Sequence, residues 1–301
     1  MARRNVTVLA LAALLAGIWV SAAAPQAVGQ PKEGRPEQQF VRLLRDQQDS
    51  PIALQMAIVR CVPLDRGQRS PIVDLIAGVH IAEKSYYQQL NKEFQGYDSV
   101  LYELVAPEEI ALAKVRDSSS VISVVQKAIN DVLQLEFQLE VIDYTRKNMV
   151  HADMTPAEFS KSMRDRGESY WAMLLRIMGY AMSEQHQQAA KLSDTELLLA
   201  LFRKDRVVVL KRLLAEQFED LQGPISALEG PKGSTLVSQR NKVALEVLRR
   251  EIAAGKRKIA IFYGAGHMPD LARRLHDDFG LTPVGTRWLV AWDLKTVDGR
   301  R

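Results

Sequence analysis

Two histidines, His80 and His267, each follow a short apolar run that is typical of a strand buried on both faces. The run before His267 covers residues 259–263 and stops at a Gly-Ala-Gly turn, after which Pro269 marks the start of a helix. The run before His80 lies within residues 71–79. At the carboxyl end of a strand in an open α/β sheet, such a turn faces the crevice where ligands usually bind. The pattern therefore predicts that both imidazoles are site residues.

A carboxylate follows the next apolar run, because Glu103 comes directly after residues 99–102. Two neutral imidazoles and one carboxylate can bind a divalent ion of the Zn, Mn or Co type and leave a position open for water, whose pKa the ion lowers towards neutrality. His80, His267 and Glu103 are therefore the predicted metal ligands, and Glu103 is also a candidate general base. The alternative for each histidine is a hydrogen bond to its own turn.

Arg240 is the candidate partner of Glu103, because an acidic side chain is costly to bury without one. Its planar guanidinium could also stabilise a developing oxyanion or hold a substrate carboxylate, although an arginine on an amphipathic helix is usually solvated. Glu103 and Arg240 are the predicted catalytic residues. For His151 and Asp153, which belong to one loop, a capping or loop-ordering role is favoured over ligation, and Tyr263 is expected to line the same crevice.

The two histidine segments also align as an internal repeat of strand, turn and helix. When the histidines are placed opposite each other, Leu75 lies opposite Phe262 and Gly78 opposite Ala265. The sequence therefore predicts an α/β (α+β) fold, with a mixed sheet built from two strand-turn(His)-helix repeats and a large helical insertion between them. Both imidazoles should then project into one crevice.

Composition favours a globular protein and argues against a nucleic-acid partner. The chain has 301 residues, of which 47% are hydrophobic, which is enough to bury a core. The formal charge is +4, and removal of Arg3 and Arg4 with the N-terminal segment leaves 38 basic residues against 36 acidic ones. Cys61 is the only cysteine, so no intramolecular disulfide forms, and its apolar surroundings predict a packing role in a strand.

The N-terminus has the order of features found in a secretory signal, namely two arginines, an apolar run and then small residues. Residues 1–29 are therefore predicted to be a signal peptide, cleaved after Ala23 or Gly29, and the mature protein to be periplasmic, bound to the cell envelope or secreted. The alternative is a retained membrane anchor, but the apolar run of residues 6–20 is short of the roughly 20 residues that span a bilayer. No stable membrane span is expected after cleavage.

The remaining chain is divided into a linker or sheet edge at residues 30–55 and a single domain at residues 56–301, with the helical insertion at about 106–225. A capping box at Thr155 and Glu158 predicts a helix start. The other predicted helices are one that could form at 37–44 and those at 81–94, 118–142, 197–221 (with a cap at Ser193) and 234–254. Residues 133–141 also alternate as a half-buried strand would, and the longer window decides for helix.

Together these motifs resemble the TraB/GumN family, within the TraB/PrgY/TIKI superfamily that includes the TIKI membrane proteases and pheromone-shutdown proteins. The family pattern is a Gly-x-x-His in each half, an acidic residue at the end of the strand after the first histidine, and an Arg-Asn or similar pair on a helix before the second. The matching segments here are Ala77-Gly78-Val79-His80, Glu103, Arg240-Asn241 and Gly264-Ala265-Gly266-His267. Ala77 departs from the pattern, because it replaces the first glycine.

The resemblance implies an exported metal-dependent hydrolase, peptidase-like as the TIKI proteins are, with a peptide or small-molecule ligand as partner. A non-catalytic binding protein of the same fold is the alternative, in which the two histidines hold haem, a peptide or another small ligand. A structural envelope protein that has kept the fold and lost the site is the third possibility, which the substitution at Ala77 keeps open.

Overall fold

The computed structural model describes residues 38–64, 70–105, 133–169, 205–219, 229 and 233–295. The predicted signal peptide, the cap at Ser193 and most of the predicted helical insertion lie outside these ranges.

Seven of the nine strands that the structure describes form one mixed sheet. Six of them follow the order β1-β2-β3-β8-β5-β7, and the seventh, β9, also pairs with β2. The remaining two strands, β4 and β6, pair with each other. In chain order the strands are β1 (Val41–Arg45), β2 (Pro51–Pro63), β3 (Ile72–Gly78), β4 (Ile81–Ala82), β5 (Ser99–Tyr102), β6 (Glu136–Phe137), β7 (Met149–His151), β8 (Lys258–Gly264) and β9 (Leu281–Asp293).

Strands β3, β8, β5 and β7 run parallel, whereas β1, β2 and β9 pair antiparallel. β3, β5 and β8 are buried along nearly their whole length, which explains why their sequences are continuous apolar runs. The mixed α/β fold is therefore confirmed. In the β3–β8 ladder Gly78 lies opposite Gly264 rather than opposite Ala265, so the spatial register differs by one residue from the sequence alignment of the repeat.

Six α-helices lie in the described ranges: α1 (Lys84–Phe94), α2 (Gln138–Val141), α3 (Pro156–Asp165), α4 (Arg206–Glu219), α5 (Arg240–Ala253) and α6 (Met268–Phe279). The capping box is confirmed, since Thr155 and Glu158 exchange both hydrogen bonds at the start of α3. Pro269 lies in the first turn of α6, and Gly280 ends that helix with a φ of 65°. Among the described residues, no helix is long and apolar enough to cross a membrane.

Residues 133–142 do not form one helix, contrary to the prediction. Gln134 has a φ of 55°, which is incompatible with a continuing helix, and Glu136–Phe137 pairs with β4 as β6. Leu133 and Leu135 are buried on either side of the exposed Gln134, so burial alternates as in a strand at these three residues.

Two strands at the ends of the described chain also differ from the prediction. Residues 41–44 of the predicted helix at 37–44 lie in edge strand β1, because Val41 to Arg45 pair with the start of β2. Residues 51–55 of the predicted linker are already part of β2. The sequence predicts no strand for Leu281–Asp293, which contains Pro283 and Gly285. A register shift between Arg60 and Cys61 of β2 accommodates this segment, and a proline is tolerated at an edge strand or a bulge.

Tyr86 and Tyr87 attach α1 to the sheet. Their hydroxyls donate to the carbonyls of Ala77 at 2.9 Å and Val79 at 2.8 Å, which satisfies backbone acceptors at the end of β3. Cys61 is fully buried in β2, and burial raises the pKa of its thiol to about 12. Its predicted packing role is confirmed.

Candidate functional site

Polar side chains meet at the carboxyl edge of the parallel strands. Glu103 follows β5, Asp153 follows β7 and His267 follows β8, while Arg240 reaches them from the first turn of α5. We call these four residues the edge cluster. Parallel strands place their carboxyl ends at one edge, where ligands of open α/β sheets usually bind.

Arg240 lies at the centre of the edge cluster and is only 6% exposed. Its Nη2 donates to Glu103 Oε1 at 2.7 Å and to Asp153 Oδ2 at 2.5 Å, and its Nε donates to Asp153 Oδ1 at 2.9 Å. The contact with Asp153 is a bidentate ion pair, a geometry that the planar guanidinium favours. The predicted pairing of Glu103 with Arg240 is therefore present, and Arg240 is not a solvated helix residue.

Asp153 is the member of the edge cluster for which the sequence predicts only a capping or loop-ordering role. Its carboxylate is fully buried against Arg240, and the hydroxyl of Tyr263 donates to the carbonyl of Ala152, which holds the loop against β8. Burial raises the pKa of Tyr263 well above its ordinary value, so the hydroxyl keeps the proton that it donates. The one sequence signal for Asp153 is an acidic residue just after the short run Met149–His151, which resembles the position of Glu103.

His267 lies in a 3-10 turn, Ala265–His267, that joins β8 to α6, and it is 6% exposed. Its Nδ1 is 2.7 Å from Asn241 Oδ1. Its Nε2 is 3.5 Å from Glu103 Oε1 and 3.4 Å from Arg240 Nη1. One ring nitrogen thus contacts an amide of α5, and the other faces the ion pair.

The charges of the edge cluster stabilise one another. Burial alone would raise the pKa of Glu103, but His267, Arg240 and the Gly264 amide outweigh it and hold that pKa well below its usual range. Burial likewise opposes the charge of Arg240, yet the hydrogen bond with Asp153 and the charge of Glu103 raise its pKa above the ordinary value. Both partners are therefore ionised near neutral pH.

Two glycines are required by close approach at this edge. The backbone N–H of Gly264 donates to Glu103 Oε2 at 2.6 Å, and a Cβ at this position would lie 3.2 Å from the same oxygen. At Gly78 a Cβ would lie 3.0 Å from Phe262 Cε2. The glycine at the end of β8 thus leaves room for a carboxylate, whereas the glycine at the end of β3 leaves room for an aromatic ring.

A turn of π-helix, Thr235–Gln239, leads directly into α5 and so sets where Arg240 begins. Hydrogen bonds from α3 and the segment after it hold this turn: Ser162 Oγ lies 2.8 Å from Thr235 Oγ1, and Glu168 accepts from Thr235 N at 2.9 Å. Such π turns within helices are frequent at functional sites. The helix predicted at 234–254 is therefore present, with an irregular first turn.

His80 lies at the same edge of the sheet but outside the edge cluster. Its side chain is exposed, and its backbone carbonyl accepts from Gln138 N at 2.9 Å. Within the described residues, no hydrogen bond or ion pair joins His80 to Glu103 or to His267. The structure thus brings together three of the four predicted site residues, with Asp153 and Asn241 added to them.

The residues as arranged do not fit the divalent ion that the resemblance implies. Both oxygens of Glu103 already accept hydrogen bonds, from Arg240 and from Gly264, and the guanidinium lies beside His267 Nε2, where it would repel a bound cation. In the part of the chain that the structure describes, no group of three or more His, Cys, Asp or Glu side chains is suited to a metal ion. An ion could use His267 and Glu103 only if Arg240 moved.

Comparison of the chain with protein-family models, with curated proteins and with solved structures finds no match in any of the three. The resemblance to the TraB/GumN family therefore stays a prediction that rests on the quoted motifs.

Proposed function

We propose that the protein is an exported hydrolase that cleaves peptide or amide bonds at the edge cluster. The observation that carries this proposal is that His267 Nε2 faces the ion pair of Arg240 and Glu103, 3.4 Å from Arg240 Nη1 and 3.5 Å from Glu103 Oε1. Acyl transfer to water needs a general base, a cation that stabilises the developing oxyanion, and a carboxylate that stabilises the protonated base. The exported location follows from the N-terminal signal features, which lie outside the described residues.

In the proposed reaction, His267 Nε2 takes a proton from water while the water oxygen bonds to the substrate carbonyl carbon. Arg240 stabilises the oxyanion that forms, and ionised Glu103 stabilises the imidazolium. The C–N bond then breaks, and Nε2–H returns its proton to the departing amine. The imidazole is restored, and the atoms of water are divided between the acid and amine products.

A Zn, Mn or Co ion, if bound, would supply a Lewis acid and a hydroxide. The residues predicted to hold it, His267, Glu103 and His80, are not arranged to do so, because both oxygens of Glu103 already accept hydrogen bonds and His80 lies outside the edge cluster. Because Arg240 binds Glu103 Oε1 at 2.7 Å, the arrangement supports a reaction that uses the side chains alone.

The test is cleavage of a panel of fluorogenic peptides by the purified full-length protein, His267→Ala and His276→Ala. His276 is the matched control, because it lies on α6, the helix that follows His267, and its side chain is 36% exposed. Loss of a general base costs about 10²–10⁴-fold, so His267→Ala should lose at least about 10²-fold in kcat/KM while His276→Ala stays at the parent value. Equal turnover by the parent and His267→Ala would refute the proposal.

The same assay after dialysis against a chelator tests the role of an ion. Activity that survives the chelator supports the side-chain mechanism. Activity that is lost and then restored by Zn, Mn or Co would show that the reaction needs an ion and would overturn the side-chain mechanism.

A non-catalytic binding protein is the second candidate. Saturable binding of haem or of a peptide by the parent, without turnover and with loss of affinity in His267→Ala, would support this function instead.

A further inference from the structure

We infer that Asn241 and Asp270 are positioning residues that hold His267 in the tautomer with its proton on Nδ1 and a lone pair on Nε2. The catalytic meaning of this tautomer rests on the proposed function, because a general base needs that lone pair. The tautomer itself can be measured without a substrate.

The orientation of the Asn241 side-chain amide follows from its neighbours. Its Nδ2 lies 3.2 Å from the carbonyl oxygen of His267 and 2.9 Å from Asp270 Oδ2, and both of these atoms are acceptors only. A flipped amide would place its oxygen against two other oxygens. The NH2 group must therefore face Asp270 and the His267 carbonyl, which leaves Oδ1 to face His267 Nδ1 at 2.7 Å.

An amide oxygen cannot donate, so the short contact with Nδ1 requires that Nδ1 carry a proton. Asn241 is fully buried, which excludes water as a substitute partner and makes an unpaired ring nitrogen costly. In the neutral imidazole the other nitrogen, Nε2, then has no proton. This nitrogen faces the charged part of the edge cluster.

Asp270 is itself anchored, so it does not rotate away from Asn241. Arg274 Nε donates to its Oδ2 at 2.7 Å, and Arg273 Nη2 donates to its Oδ1 at 2.5 Å. Its position in the first turn of α6 also favours a negative charge. Burial would raise the pKa of Asp270, but the contacts with both arginines and with Asn241 lower it.

Both protonation states of Nε2 have a partner in the edge cluster. Without a proton, Nε2 accepts from Arg240 Nη1 at 3.4 Å, and with one it faces Glu103 Oε1 at 3.5 Å. The series of hydrogen bonds from Asp270 through Asn241 therefore determines which nitrogen of His267 exchanges the proton. It leaves Nδ1 unchanged throughout.

The test is long-range 1H–15N correlation NMR of the purified full-length protein labelled with 15N-histidine, recorded above the pH at which the ring titrates. Loss of one signal set in His267→Ala assigns the ring. We expect Nδ1 to show the protonated, pyrrole-type shift and Nε2 the unprotonated, pyridine-type shift. A ring with its proton on Nε2 would overturn the inference, whatever the variants show.

Asn241→Leu should move both nitrogen shifts towards the values of a mixed tautomer, because it removes the acceptor of Nδ1–H. Asp270→Ala removes one of the two acceptors of the amide and should move the shifts in the same direction, even if Asn241→Leu does not fold. Asp277→Ala is the matched control, since it removes a half-exposed carboxylate from the same helix and should keep the parent shifts of the His267 ring. Parent shifts in Asp270→Ala would overturn its positioning role.

The positioning of His267 and the proposed hydrolysis can be refuted independently of each other. If Nδ1 carries the proton but the protein shows no hydrolysis, the positioning role of Asn241 and Asp270 is supported and the proposed function is refuted. If the protein hydrolyses peptides while His267 carries its proton on Nε2, the positioning role is refuted and the proposed hydrolase function is retained.

Discussion

Replacement of Arg240 by methionine should be among the most costly single changes at the edge cluster. Methionine keeps much of the buried side-chain length but removes the cation that pairs with Glu103 and Asp153, whose side chains are 13% and 0% exposed. Removing one partner of a buried ion pair typically costs about 3–5 kcal/mol, because a buried charge is left uncompensated. Since domains unfold with about 5–15 kcal/mol, the variant should fold but with a greatly lowered free energy of unfolding.

The cost should also depend on pH. In Arg240→Met, the two carboxylates lose their counter-ion, so the pKa of at least one of them in the folded state rises above its unfolded value. A raised folded pKa gives stability that is present at low pH and lost as pH rises through it. The deficit relative to the parent should therefore grow between pH 5.5 and pH 8, by at most about 1.4 kcal/mol per pH unit for each carboxylate.

The assay is urea unfolding followed by far-UV circular dichroism at both pH values, with linear extrapolation to water. Arg249→Met is the matched control, because Arg249 is on the same helix and forms an exposed pair with Asp278 at 3.8 Å that is worth about 0–1 kcal/mol. Adding Glu103→Gln to Arg240→Met should recover part of the loss. A deficit within 1 kcal/mol of the control at both pH values would refute the account of the edge cluster.

Three further changes test neighbouring features. Gly264→Ala places a Cβ 3.2 Å from Glu103 Oε2 and should cost about 1–3 kcal/mol in urea unfolding, whereas Gly285→Ala, which meets open space, should cost less; equal costs would contradict the close-approach argument. Tyr87→Phe leaves the Val79 carbonyl without its donor and should cost about 1–3 kcal/mol; an unchanged unfolding midpoint would show that this contact is dispensable. Because the folded pKa of Glu103 is lowered, its stabilisation is present above its unfolded pKa and is lost as pH falls through the folded value. The stability difference between the parent and Glu103→Gln should thus shrink below about pH 4, and a difference that grows on further acidification would contradict a lowered folded pKa.

Local patterns in the sequence identified much of the architecture. Buried parallel strands such as β3, β5 and β8 must be apolar on both faces, so their positions were predictable from residue type alone. The capping box at Thr155 and Pro269 in the first turn of α6 are also local signals, because each acts within one turn of helix. The alternation at residues 133–141 was the exception, since helical and strand spacing overlapped there.

By itself, the sequence determined that Glu103 and His267 follow strand ends, and hence that they belong to one edge of a parallel sheet. Only the tertiary structure decided that Asp153 shares Arg240 with Glu103, that Asn241 contacts His267, and that His80 stays outside. The physical reason is separation along the chain: Glu103 and Arg240 are 137 positions apart, and Asp153 and Arg240 are 87 positions apart. Such pairs leave no periodic trace in composition or spacing, because their energy depends on burial and on distances of 2.5–2.9 Å that exist only after the sheet has assembled.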